Sequence, residues 1–356
     1  MDNCNIPLHI TAKRNKNLHK QKNHPIEIMK NIILNYFKKI KEDVMCFDNF
    51  DPVVTIENNF DKLLFSKDHA ARSKSDTYYV DNEHVLRTHT SAHQIDLMQR
   101  GFENFIVVGD VYRKDEIDRT HYPVFHQIEG VGSVPINMDP EEELQKILNG
   151  LVEHLFPDCK YRINPDYFPF TEKSFEYEVE YRGQWLEILG CGTVHPDIIS
   201  QTNIKNKLWA FGLGLERLVM IKFDIPDIRY LWSEHPRFLE QFSTGTVVKF
   251  KEFSEIPSVE FDLSFFIPTS KIDDKKWIDE NNFFELVREV CGDYIEHIQL
   301  FDNFFHPTKK MLSYAYKIKY SPIDPNMTNP AVFRELCADL FDCLRKKMDM
   351  FDVILR

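Results

Sequence analysis

The stretch GDVYRKDEIDRTHYPVFHQIEG, residues 109–130, packs two arginines, two histidines, several carboxylates and a phenylalanine into a segment flanked by apolar runs. Phe105 to Val108, then Val111, predict a strand. Lys114 to Tyr122 is too polar to continue that strand into a core, and Pro123 to Ile128 turns apolar again. The segment therefore reads as a hairpin closed by a charged, mobile loop. Side chains alternate across a strand, so Phe125, Gln127 and Glu129 fall on one face. A ring, an amide and a carboxylate on one surface suit a ligand that is both polar and aromatic.

Outward from the hairpin, HPIEIMKNIILNYFKKI (24–40) carries Ile26, Met29, Ile33, Phe37 and Ile40 on a helical stripe, with Pro25 at its first turn. A helix is expected near 90–100, where Thr90 and Ser91 occupy a plausible N-cap, and another at 139–155, whose acidic first turn suits the helix dipole. FPF (168–170), FEYEVEY (175–181) and WLEILGCG (185–192) read as strands, and WAFGLGLERLVMIKF (209–223) as a strand entering a helix near Leu215. Residues 24–242 thus form an α+β unit built on a largely antiparallel sheet. After a polar linker at 243–250 the pattern restarts in 251–356 as strand (258–267), helix (277–291), two strands (294–304 and 311–320), helix (330–348) and short strand (350–355): the βαββαβ order of a ferredoxin-like fold.

A chain of 356 residues suits about two domains. No apolar run approaches the ~18 residues needed to cross a bilayer, so no membrane partner is expected. The seven cysteines are scattered without a CxxC pair, which argues against a disulfide framework or a zinc site and for a reducing compartment. A net charge of −12 conceals a basic run, KRNKNLHKQK at 13–22. Residues 1–23 are expected to form a basic N-terminal arm, either merely solvated or contacting phosphates. This terminus shows neither the apolar core of a secretory signal nor the Arg-rich, acid-poor character of a transit peptide.

Three separated stretches carry chemistry: Arg113 with its loop and HYPVF (121–125); LEILGCG, with Glu187 near its start; and GLGLER (212–217). Glycines admit a ligand close to the backbone, and a helix start offers unpaired N–H donors. GLGLER is neither GxGxxG nor a Walker loop, however, and by spacing alone a phosphate site and a plain strand-to-helix turn both remain open.

Taken together, Arg-x-Asp-Glu, a loop and His-x-x-x-Phe resemble motif 2 of class II aminoacyl-tRNA synthetases, and GLGLER resembles their motif 3. VVGDVYRKDEIDRTHYPVFHQIEG, YFPFTEKSFEYEV, WLEILGCG and WAFGLGLERLVMIKFDIPDIR are similar to phenylalanyl-tRNA synthetases, and NLHKQKNHPI with the terminal βαββαβ module resembles their single-chain mitochondrial type. The resemblance covers nearly the whole chain. It implies a ligase that joins phenylalanine to tRNA(Phe) by way of an adenylate, with ATP as a substrate and Mg²⁺ as cofactor. It also implies a monomer in the mitochondrial matrix, with 251–356 binding the anticodon. A noncatalytic RNA-binding paralogue is the rival.

Residue by residue, the resemblance gives Arg113 the α-phosphate, and Thr120, His121 and Tyr122 the ATP side of the loop. Arg217 stacks on the adenine opposite Phe125, Gly212 and Gly214 let the nucleotide approach, and Glu187 contacts ATP or Mg²⁺. Arg113 and Arg217 are the catalytic pair. Gln127 and Glu129, with the intervening Ile128, take the substrate ammonium, and Ser91, Ala92, His93 and Gln94 close that polar end. Phe168 and Phe170 meet the substrate ring edge to face, over a floor of Ala210 and Phe211.

Overall fold

The computed structural model describes residues 4–252, 256–274 and 276–356. Its first part runs through α1 (Leu8–Lys13), α2 (Pro25–Ile40), β1 (Met45–Phe47), the small hairpin β2 (Val53–Thr55) and β3 (His84–Leu86), and α3 (Gln94–Gln99). There follow β4 (Phe105–Tyr112), β5 (Val124–Val134), α4 (Pro140–Leu155), β6 (Tyr161–Asp166), β7 (Thr171–Tyr181), β8 (Gln184–Val194), the single turn α5 (Pro196–Ile199), β9 (Lys207–Gly214), α6 (Leu215–Phe223) and the single turn α7 (Pro236–Leu239). Seven strands make one sheet in the order β1-β4-β5-β9-β8-β7-β6. Every pairing is antiparallel except that of β1 with β4.

Helices cover one face of this sheet because their apolar stripes have nowhere else to go. Ile26, Met29, Ile33 and Phe37 of α2 and Leu144, Leu148 and Leu151 of α4 share a single buried cluster with Phe211 and Leu213 of β9. Phe37 stacks on Phe211 with centroids 4.9 Å apart, and full burial of one such ring is worth roughly 1.5–3 kcal/mol. The α4 start is fixed by Asp139, whose carboxylate accepts from the Glu141 N–H at 3.0 Å, ahead of three glutamates in the first turn.

The second part comprises β10 (Val259–Ile267), a two-residue-per-strand hairpin of β11 (Ile272–Asp273) and β12 (Lys276–Trp277), α8 (Glu280–Cys291), β13 (Ile295–His306), β14 (Met311–Tyr320), α9 (Pro330–Lys347) and β15 (Ile354–Leu355). The sheet order is β13-β14-β10-β15 with antiparallel pairing throughout. Phe283 and Val287 of α8 and Phe333, Cys337 and Leu344 of α9 pack with the sheet in a second apolar cluster.

Four sequence expectations change. FPF at 168–170 is the turn between β6 and β7, not a strand. The helix expected from 277 starts at Glu280, because Lys276–Trp277 pair with Ile272–Asp273 instead. The connection between β4 and β5 is held by the second part of the chain. The Ile298 N–H donates to the Ile117 carbonyl at 3.0 Å, Arg288 donates to the Glu116 carbonyl at 2.6 Å, and Arg119 pairs with Glu296 at 2.8 Å. Finally, residues 8–20 are partly packed rather than wholly solvated: Ile10, Leu18 and His19 are buried, while Leu8, Thr11, Ala12, Asn15, Lys16 and Lys20 are exposed. Lys13, Lys16 and Lys20 pair with Asp293, Glu234 and Asp48, so the acidic partners of the basic run come from remote parts of the chain.

Candidate active site

The alternation along β5 sends Ile128 into the apolar core and brings Phe125, Gln127 and Glu129 to the opposite face, where two cavities open. One holds about 470 Å³ and the other about 170 Å³, and they share Arg113, Asp115, Gln127, Glu187 and Gly212 as common walls. They are therefore two adjoining compartments.

The polar end of the larger compartment is Glu129, only 5% exposed. The Ser91 hydroxyl donates to its carboxylate, and the Thr90 N–H donates to the Gln127 amide oxygen at 3.2 Å. Burial raises the Glu129 carboxyl from its ordinary value to about 8, against the opposing pull of the Ser91 hydrogen bond. His89 lines the same compartment, and neither of its ring nitrogens has a protein partner. Burial, with the Arg113 charge nearby, lowers its pKa to about 3, so the ring is neutral. A buried carboxyl without a cationic partner is costly to ionise and is well matched to an incoming ammonium.

The other walls are aromatic. Phe168 and Phe170 lie with centroids 5.9 Å apart, and Phe170 in turn approaches Phe65 and His89 at 6.1 and 6.2 Å. Ala210 and Phe211 close the floor. Gly190 is required here: a Cβ on it would sit 2.6 Å from the Phe168 ring. The tip of the Phe168 ring therefore lies close against the β8 backbone at Gly190.

In the smaller compartment the Arg113 guanidinium stands 5.3 Å from the Phe125 ring centroid, and its Nε donates to the Thr88 carbonyl at 2.7 Å. Arg217, on the first turn of α6, donates to the Glu187 carbonyl at 3.1 Å and approaches His121 Nε2 at 3.0 Å. The other His121 nitrogen, Nδ1, lies 2.8 Å from Asp118. That contact raises the His121 pKa, against burial and the Arg217 charge. Burial works against ionising Asp118, yet the hydrogen bonds from His121 and Thr120 hold its carboxyl well below the usual range. Two arginines and a histidine around one small space make it a site for anionic oxygen. A Cβ on Gly212 or Gly214 would meet nothing within 4 Å, so open space adjoins the backbone of β9 there.

Among the described residues no group of three or more His, Cys, Asp or Glu side chains could hold a metal ion. Glu187, its carboxylate 3.6 Å from Arg217, is a hard ligand with Asp115 on the same shared wall. Such a donor set fits Mg²⁺ only when phosphate oxygens supply the remaining ligands, the usual mode for that ion.

Of the residues expected around nucleotide, Arg113, Thr120, His121, Tyr122, Phe125, Glu187, Gly212, Gly214 and Arg217 all line the smaller compartment. Of those expected around the amino acid, Ser91, Gln127, Glu129, Phe168, Phe170, Ala210 and Phe211 line the larger one. Four do not. Ile128 faces the core, and Ala92 packs with Val54 and Val85. His93 stacks on Phe50 at 4.4 Å and meets Arg87 at 2.9 Å, while Gln94 is wholly buried. The cause is the 3-10 turn over Thr90–His93, which carries 93 and 94 away from the space that 89 and 91 face. His89, Thr88, Phe65 and Cys191 also line the larger compartment and were not anticipated. The signal for His89 was its two-residue offset from Ser91 at the end of an extended segment.

Comparison with known proteins bears on this geometry. The family model described as "tRNA synthetases class II core domain (F)" matches residues 7–242. "Phenylalanine--tRNA ligase, chloroplastic/mitochondrial" of Arabidopsis thaliana is 42% identical, over 97% of this chain and 82% of its own length. The mitochondrial phenylalanine–tRNA ligases of Dictyostelium discoideum and Mus musculus are each 39% identical, over 93% of this chain and 85% and 82% of theirs. A solved pyrrolysyl-tRNA synthetase from Desulfitobacterium hafniense superposes with a TM-score of 0.48 at 14% identity, covering 59% of this chain and 74% of that one. With a class II core model spanning most of the chain and organellar ligases similar over nearly all of it, the chain belongs to the class II aminoacyl-tRNA synthetases, in the family of single-chain phenylalanine–tRNA ligases.

Proposed function

We propose that this protein activates phenylalanine with ATP and transfers it to tRNA(Phe) in mitochondria, acting as a monomer. The observation that carries this reading is the pair of adjoining compartments: a buried carboxyl and aromatic walls in one, two arginines and a histidine in the other, with Arg113, Gln127, Glu187 and Gly212 between them. Phenylalanine occupies the larger, its ammonium against Glu129 and Gln127 and its ring between Phe168 and Phe170. ATP occupies the smaller, its adenine between Phe125 and Arg217. The α-phosphate then lies at the shared wall beside Arg113, within reach of the substrate carboxylate.

The chemistry needs little beyond placement and charge. The amino-acid carboxylate attacks the α-phosphate in line, and Arg113 neutralises charge that develops there. Mg²⁺ held by Glu187 and the phosphates would add charge neutralisation of the same kind. Arg217 and His121 hold the tail of the leaving pyrophosphate. Residues 24–242 do this work, 243–250 link, and 251–356 bind the anticodon; the end of the family match at 242 supports the second boundary, while its start at residue 7 includes most of the basic arm. The mitochondrial location follows the names of the relatives.

The test is pyrophosphate exchange with each of the twenty amino acids in turn. Exchange driven by phenylalanine well above all others, followed by charging of tRNA(Phe), is the expected result. A folded protein that supports exchange with none of them refutes the reading and leaves an RNA-binding paralogue.

A further inference from the structure

The ladder between β5 and β9 ends at Gln127 opposite Gly214, because the chain turns into α6 directly afterwards. The next β5 residue toward the hairpin loop, His126, would have lost its backbone partner on that side. Glu216 replaces it: one carboxylate oxygen accepts the His126 N–H at 2.8 Å, and the other lies 2.7 Å from His126 Nδ1. Both residues are sealed from solvent, Glu216 at 2% and His126 at 0% exposure. The carboxylate sits in the first turn of α6, where the helix dipole favours negative charge.

Glu216 and the sequence neighbours of this pair line the smaller compartment. Phe125 and Gln127 flank His126, and Arg217 follows Glu216. On its other side the His126 ring packs against His19 at 5.2 Å and Trp232 at 5.8 Å, and Trp232 stacks on Tyr122 at 5.3 Å. One side chain therefore fixes the helix that carries Arg217 against the strand that carries Phe125.

We infer that Glu216 is a positioning residue for adenylate formation: by gripping both donors of His126 it sets the separation of Arg217 from Phe125, and so holds ATP for attack without contacting the reacting atoms. The grip depends on reach, since two donors on one residue are met by two oxygens at the end of a side chain of fixed length. Glu216→Asp keeps the charge but is one methylene short. Glu216→Gln keeps the length, offering an oxygen to the backbone N–H and an N–H to the ring nitrogen.

This inference rests on the ligase reading, and the wild-type protein separates the two. Absence of phenylalanine-dependent exchange in wild type would fail that reading, whereas an active wild type lets the variants judge this one. Phenylalanine affinity is measured without ATP, and ATP KM and kcat by pyrophosphate exchange. Glu216→Asp and Glu216→Ala should lose about 100-fold in kcat/KM for ATP, the cost expected of an ångström-scale misplacement. Their phenylalanine affinity should stay within about twofold of wild type, far inside that effect. Glu216→Gln should recover to within about tenfold of wild type. If Glu216→Ala does not fold, the Asp and Gln variants decide alone. Asp as active as wild type, Gln as impaired as Asp, or an equal loss of phenylalanine binding would each overturn the inference.

Discussion

Phenylalanine should bind the free protein more weakly as the solution is made more acidic, and the size of the effect follows from Glu129. Burial holds that carboxyl at about 8, so about half of the molecules carry the carboxylate at pH 8, about a tenth at pH 7 and about a hundredth at pH 6. Only the carboxylate pairs well with an ammonium. Apparent affinity should therefore fall about 50-fold from pH 8 to pH 6, and at pH 7 each phenylalanine bound should release about 0.9 proton. Titration calorimetry in buffers of different ionisation enthalpy reads both quantities. Glu129→Gln should bind weakly at every pH and release no proton. The same shift governs folding, with a definite sign. Between about 4.5 and 8 the folded carboxyl keeps a proton that the unfolded chain gives up, so stability declines as pH rises through that window, and Glu129→Gln should flatten the decline. An affinity that changes less than about threefold between pH 8 and 6, with no proton release, would refute the claim that Glu129 is neutral before substrate arrives.

Arg217→Ala should lower kcat/KM for ATP by about 10²-fold, because it removes a charge-assisted contact worth roughly 1.5–3 kcal/mol. Its melting temperature should hardly move, since its contacts lie at the cavity wall, and near-normal exchange would exclude Arg217 from the nucleotide site. Tyrosine should be activated measurably, about 10²-fold below phenylalanine in kcat/KM, because apolar walls reject an added hydroxyl only weakly. Undetectable tyrosine-dependent exchange would point to a polar group placed against the ring. Replacing Lys13, Lys16 and Lys20 together by alanine should lower the melting temperature by a few degrees, at up to about 1 kcal/mol per exposed pair. A weaker salt dependence of tRNA binding with unchanged melting would restore the reading of a free basic arm.

The hairpin was legible because its loop and its alternation are local properties: Phe125, Gln127 and Glu129 share a face whatever surrounds them. The stripe of α2 and the acidic first turn of α4 were legible for the same reason. Phe168 and Phe170 imitate a strand by alternation, but they form the turn between β6 and β7, where the Phe168 ring meets Gly190 of another strand. His93 and Gln94 reach the pocket in the sequence reading through the family resemblance alone, and the 3-10 turn over Thr90–His93 carries them away from it. The basic run failed as a free arm for a simpler reason: Lys13 finds its acid at Asp293, and no local window spans that separation.

The loop between β4 and β5 is anchored by Arg288, Glu296 and Ile298, residues made long after it on the ribosome. At about 5–20 residues per second the anchors emerge roughly 10–40 s behind the loop. During that interval the loop is held only from within the first part, by Arg113 on the Thr88 carbonyl and by the Ile228 N–H on the Arg119 carbonyl. The smaller compartment is thus walled entirely by residues of the first part, while the loop on its rim gains its last anchors only when the second part has emerged.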